Sequence, residues 1–102
     1  MGYMTELNTL IGLPSGFDTS SLVVSQTYKI VKDRERSFPL HIAMLMVDSE
    51  WNFYGYAVVH SMKNTNQKCE LEFEVLSIFS PEEQKLYKAK FTEAAHFTGE
   101  IK

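Results

Sequence analysis

The sequence predicts a mainly β fold, α+β by content: a small curled antiparallel sheet or partly open β-barrel of about five strands with a C-terminal α-helix. Three features carry that expectation. From Lys68 to Phe79, Cys69, Leu71, Phe73 and Val75 alternate with Glu70, Glu72 and Glu74, the period of a half-buried strand. Gly55 interrupts a long β-rich run from Trp51 to Met62, the usual place for a bulge or bend that curls a small sheet. Ser80-Pro81-Glu82-Glu83 then combines an N-cap serine, a proline at the first helical position and a glutamate that completes a capping box.

The remaining elements follow in chain order. Thr5 to Leu13 reads as a first strand, with Leu7, Thr9 and Ile11 on one side, broken by Pro14-Ser15-Gly16. Leu22 to Lys32 is a second run rich in branched and aromatic residues, and Asp33-Arg34-Glu35-Arg36 is a charged connection. Phe38 to Val47 is apolar on both parities, which marks a central strand covered on both faces. Pro39 lacks an N–H and belongs at the start of that strand or on an unpaired edge. Asn64 to Gln67 is a hairpin turn, because asparagine tolerates positive φ. The helix is expected from about Pro81 to about His96, with Tyr87, Phe91, Ala94 and Ala95 as its core-facing stripe and Leu86 beside it.

A chain of 102 residues, 44% hydrophobic and 23% charged, fits one globular domain over 1–102 and not a disordered or fibrous chain. It contains no apolar run of the roughly 18 residues that span a bilayer. The first residues lack the basic and apolar regions of a secretory signal, so the cytoplasm is the expected location. Cys69 is the single cysteine, which excludes an intramolecular disulfide and a cysteine-built zinc site. The glycines at 12, 16, 55 and 99 are isolated, and neither a P-loop nor a dinucleotide fingerprint can be fitted. No cofactor is expected. Ten Lys+Arg against 13 Asp+Glu argue against nucleic acid as the main partner.

Two groups of residues are candidates for binding. Lys29, Lys32, Arg34 and Arg36, flanked by Tyr28 and Phe38, form the one basic concentration, suited to a phosphate or another small anionic ligand. Asp33 and Glu35 interleave with them and dilute the field. Trp51, Phe53, Tyr54 and Tyr56 crowd one strand on both parities, more than one small core takes, which suggests an interface with a protein partner or a homo-oligomer.

Catalytic chemistry is weakly represented. Pairing across the Asn64–Gln67 turn in the register that sets Met62 opposite Cys69 makes His60 and Cys69 diagonal neighbours, the start of a thiol–imidazole dyad. The same face carries Val58, Leu71 and Phe73, so Cys69 reads better as a buried hydrophobe, and nothing orients His60. His41, His60 and His96 lack metal-ligand spacing, and Glu70, Glu72 and Glu74 read as a solvated face. No catalytic or metal-binding residue is assigned. The expected function is a non-enzymatic binding or interaction module; a small enzyme using Cys69 with His60 is the alternative.

The order of segments resembles an uncharacterised family of small β-rich proteins from bacilli. The similarity lies in Glu6-Leu7-Asn8-Thr9, in Lys32-Asp33 and Arg36 ahead of Phe38-Pro39-Leu40-His41-Ile42, in Gly55-Tyr56-Ala57-Val58-Val59 and in Val75-Leu76-Ser77, within residues 5–79. The helix after Ser80 and the Trp51 approach to Gly55 depart from it. This resemblance implies a small β-rich fold and no activity. Lys32 and Arg36 also have the basic spacing of the cyclic-dinucleotide-binding PilZ barrel, with Lys in the first place. The second PilZ motif, Asp or Asn followed by Ser and then Gly, is missing between Asp48 and Gly55, which argues against that ligand.

Overall fold

The computed structural model describes residues 6–7, 10–34 and 36–99. Its elements are β1 (Glu6–Leu7), β2 (Ile11–Gly12), a 3-10 turn (Thr19–Ser21), β3 (Thr27–Asp33), β4 (Arg36–Ser37), β5 (Ala43–Val47), β6 (Phe53–Thr65), β7 (Lys68–Ile78) and α1 (Pro81–Thr98).

The β6–β7 hairpin is the frame. Its turn is the two residues Asn66-Gln67, both with positive φ (51° and 64°), which matches the right-handed twist of the flanking strands. Lys68 therefore faces Thr65, and Cys69 faces Asn64 rather than Met62. Two bulges bend the hairpin. Val59 pairs with Phe73 and Ser61 with Glu72, which leaves His60 as the extra residue on β6; Leu76 is the extra residue on β7, between Val75 and Ser77. β5 pairs antiparallel with β6, and β3 with β7.

The five-stranded sheet has the order β2-β5-β6-β7-β3 and is open, not a closed barrel. It is mixed rather than wholly antiparallel: β2 runs parallel to β5, and β1 and β4 form a separate parallel pair. The expected first strand is thus two short pieces that serve different partners, and Thr5, Asn8 and Thr9 lie outside the described residues. The second and third runs are also trimmed by positive φ, at Ser25 (73°) and His41 (66°), so their strands start at Thr27 and Ala43. β5 is central, as its two-sided apolar pattern requires, but Leu40 and Ile42 ahead of it are exposed.

Curling brings the two edges of the open sheet together. Lys32 on β3 donates from Nζ to the Gly12 carbonyl on β2 at 2.6 Å. Close by, the Asn64 side chain acts as a surrogate strand: its Oδ1 accepts from Arg36 N (3.0 Å) and its Nδ2 donates to Arg36 O (2.8 Å). Inside the curl lies the larger core, built around Ile11, Met46, Val59, Leu71, Phe73 and Val75.

A second core lies under the helix. Val47, Phe53 and Phe79 pack against Tyr87 and Phe91 of α1, with Trp51, Tyr56 and Leu45 at the margin. The capping box forms as expected: Glu83 N donates to Ser80 Oγ (3.3 Å) and Ser80 N to Glu83 Oε1 (2.8 Å). Ala95 is buried on the same helix face as Tyr87 and Phe91, whereas Ala94 and Leu86, expected on or beside that face, are exposed. The four aromatics expected at an interface take part in the packing of these two cores. Phe53 is fully buried, Trp51 stacks on Phe91 (centroids 4.7 Å apart), Tyr56 meets Phe79 edge-on, and Tyr54 joins the first core. The excess of aromatics serves two cores within one chain.

Candidate functional site

Strand periodicity divides the four candidate cations. Lys29 and Lys32 are three residues apart on β3, so they point to opposite faces. Lys29 lies outward across from Glu72, while Lys32 points inward. Arg34 is exposed in the β3–β4 turn with φ 65°, and Arg36 returns beside Lys32. Lys32 and Arg36 line one cleft of about 260 Å³; Lys29 and Arg34 do not belong to it.

That cleft opens at the meeting of the sheet edges. Leu10, Gly12 and Leu13 form one wall, Lys32, Arg36 and Phe38 another, and Val47, Asp48, Ser49 and Trp51 close it. A Cβ on Gly12 would stand 3.0 Å from Lys32 Nζ, so a bare backbone lets the ammonium reach the carbonyl. Burial, and then the charge of Arg36, hold Lys32 below the ordinary lysine value, with Asp33 pulling the other way. Arg36 Nε donates to Asp33 O at 2.8 Å, which orients the guanidinium stem.

The far wall depends on a single carboxylate. Asp48 Oδ1 accepts from Glu50 N and Asn52 N (both 2.9 Å), and its Oδ2 accepts from Asn52 Nδ2 (3.0 Å) and Tyr54 Oη (2.7 Å). These bonds hold the β5–β6 loop in a shape that gives Trp51 a positive φ of 66°. Burial works to raise the Asp48 pKa, but the bonds from Asn52, Tyr54 and Glu50 outweigh it and leave the carboxyl below its ordinary value near 3.8.

A depressed carboxyl stabilises the fold fully above its unfolded value and loses that contribution as pH falls through the lower folded value. Asp48→Ala is expected to cost about 1–3 kcal/mol at neutral pH, because it leaves several donors unpaired. Below about pH 4 its thermal melts should converge progressively with those of the wild type, as the wild type loses the ionised carboxylate that the variant already lacks. A gap that stays constant down to pH 2 would contradict this account.

The proposed dyad does not form. The bulge at His60 reverses side-chain parity, so His60 turns outward and its Nε2 lies 2.8 Å from Glu74 Oε1. Cys69 points into the first core with no exposed surface, 4.0 Å from the Arg36 carbonyl, and burial raises its thiol pKa. Each glutamate of the acidic stripe also has a neighbour across the sheet: Glu70 lies across from Lys63, Glu72 across from Lys29, and Glu74 shares a hydrogen bond with His60. Among the described residues, no group of three or more His, Cys, Asp or Glu side chains is placed to hold a metal, and no helix is long and apolar enough to cross a membrane.

Sequence reasoning found Lys32 and Arg36 but missed Gly12, Asp48, Ser49 and the role of Trp51, which come from segments far away in the chain. No family model matches the chain, and no curated protein matches it. A solved structure does: the crystal structure of protein ytmB from Bacillus subtilis superposes with a TM-score of 0.63, over 79% of this chain and 98% of that one, at 22% identity. The chain is therefore similar in fold to a small protein from a bacillus, as the order of its segments suggested.

Proposed function

We propose that the chain is a non-enzymatic binding module whose cleft at Lys32 and Arg36 takes a small oxyanion, a phosphate or carboxylate group carried on a compact ligand. The observation that carries this reading is the half-buried Lys32 ammonium beside Arg36, in a cleft whose other walls are largely apolar. Lys32 and Arg36 present two positive charges in a partly desolvated site, so an oxyanion that enters it can form charge-assisted contacts with both. A volume of about 260 Å³ suits a small ligand or the anionic end of a larger one.

Trp51, the single tryptophan, lines the same cleft and reports on it by fluorescence. Inorganic phosphate, a nucleotide panel and succinate are the probes, followed through Trp51 emission and backbone amide shifts. Binding should move Gly12, Lys32, Arg36 and Ser49 amides. Arg36→Ala or Lys32→Gln should each weaken it by about 10- to 100-fold, the loss of one charge-assisted contact. A cleft unmoved by every probe, or full affinity in the folded double variant, would overturn the reading.

A further inference from the structure

α1 buries the stripe Tyr87, Phe91 and Ala95 and leaves another stripe facing solvent. That outward stripe is Leu86, Lys90, Glu93 and Phe97, a 4-3-4 spacing that is the seam spacing of a coiled coil. Phe97 is 88% exposed and Leu86 58%, the most exposed large apolar side chains among the described residues. Lys90 and Glu93 sit between them and meet each other at 3.8 Å. Ala89 and Ala94 flank the seam, both exposed and both small enough to let a second helix approach.

The order apolar, positive, negative, apolar is its own complement when reversed. Laid antiparallel on a second copy, with a two-fold axis between positions 90 and 93, Leu86 meets the partner's Phe97 and Lys90 meets the partner's Glu93. A parallel arrangement instead sets Lys90 against Lys90 and Glu93 against Glu93. We propose that the chain forms a homodimer through antiparallel pairing of α1 about this two-fold axis. Closed two-fold contacts require such a self-complementary patch, and complementary charge fixes the register. The seam spans about 16 Å at 1.5 Å per residue, short for a stable interface of roughly 1,200 Å² or more. The dimer is accordingly weak and concentration-dependent.

Sedimentation equilibrium of the intact chain at low salt, from about 10 μM to about 1 mM, covers the range of weak association. The wild type should rise toward twice the monomer mass. Lys90→Glu and Glu93→Lys should each remain monomeric, since each sets like charges face to face across the axis. An equimolar mixture of those two variants should associate again, because every facing pair is then of opposite sign. Phe97→Ser should also remain monomeric with unchanged helicity. A wild type that stays monomeric throughout, single-charge variants that associate as tightly as the wild type, or a mixture no tighter than its components would each overturn the proposal.

Discussion

Gly55→Ala should unfold the protein or cost at least about 4 kcal/mol, the range reached only when a core or backbone position is incompatible with its new residue. A Cβ built on Gly55 falls 2.0 Å from the Ser77 carbonyl oxygen, 2.9 Å from Ser77 C and 3.0 Å from Ile78 Cα. All three are backbone atoms of β7, so no rotamer change relieves the contact. The φ of 148° adds conformational strain of its own. Gly16→Ala is the internal control: its φ is also positive (87°), but nothing lies within 4 Å of the added Cβ. That change should cost about 1–2 kcal/mol, the strain of a left-handed residue alone. Urea denaturation of both variants measures the difference. Equal losses would show that the Gly55–Ser77 approach does not govern the bend.

Phe53→Ala should be the second large loss, about 3–5 kcal/mol for an aromatic ring removed from a closed core. Phe53 has no exposed surface and holds ring contacts with Tyr87 (6.3 Å) and Phe91 (5.2 Å), so it ties β6 to α1. Its loss should act unevenly. Amide hydrogen exchange is expected to speed up first along α1, which reaches the sheet through this second core, while the β6–β7 ladder keeps its order of protection. Uniform acceleration across sheet and helix would mean that the two cores unfold as one unit. Small domains have only about 5–15 kcal/mol of stability in total, so either substitution alone removes a large share of it.

What the sequence revealed and what it hid divide along physical lines. The helix and its cap were legible because a capping box is local: Ser80, Pro81 and Glu83 satisfy one another without outside help. The alternation in β7 was legible for the same reason. The bulge at His60 was less so, although three consecutive buried residues, Ala57, Val58 and Val59, break a period of two just ahead of it. That single extra residue turned an apparent His60–Cys69 neighbourhood into opposite faces. The parallel pairs of β1 and β2 left no local trace, since partners separated by about 30 residues or more are chosen by packing rather than pattern. Period-two alternation on β3 separates Lys29 from Lys32, a division that grouping the four cations by their closeness in sequence passed over. Nothing in the basic run, however, pointed to Asp48 or Trp51, which reach the cleft only through the β5–β6 loop.

The unequal edges of the open sheet also bear on aggregation. An incoming strand needs a row of free backbone groups to pair with, and β2 presents only two residues. β3 is longer, but Lys29 and Asp33 project from its outward face, and Lys32 draws the opposite end of the sheet toward it. A very short edge strand and charged side chains along the longer one are usual guards against edge-to-edge strand pairing. The open sheet is thereby kept from polymerising through its backbone, and contact with other copies is left to side chains.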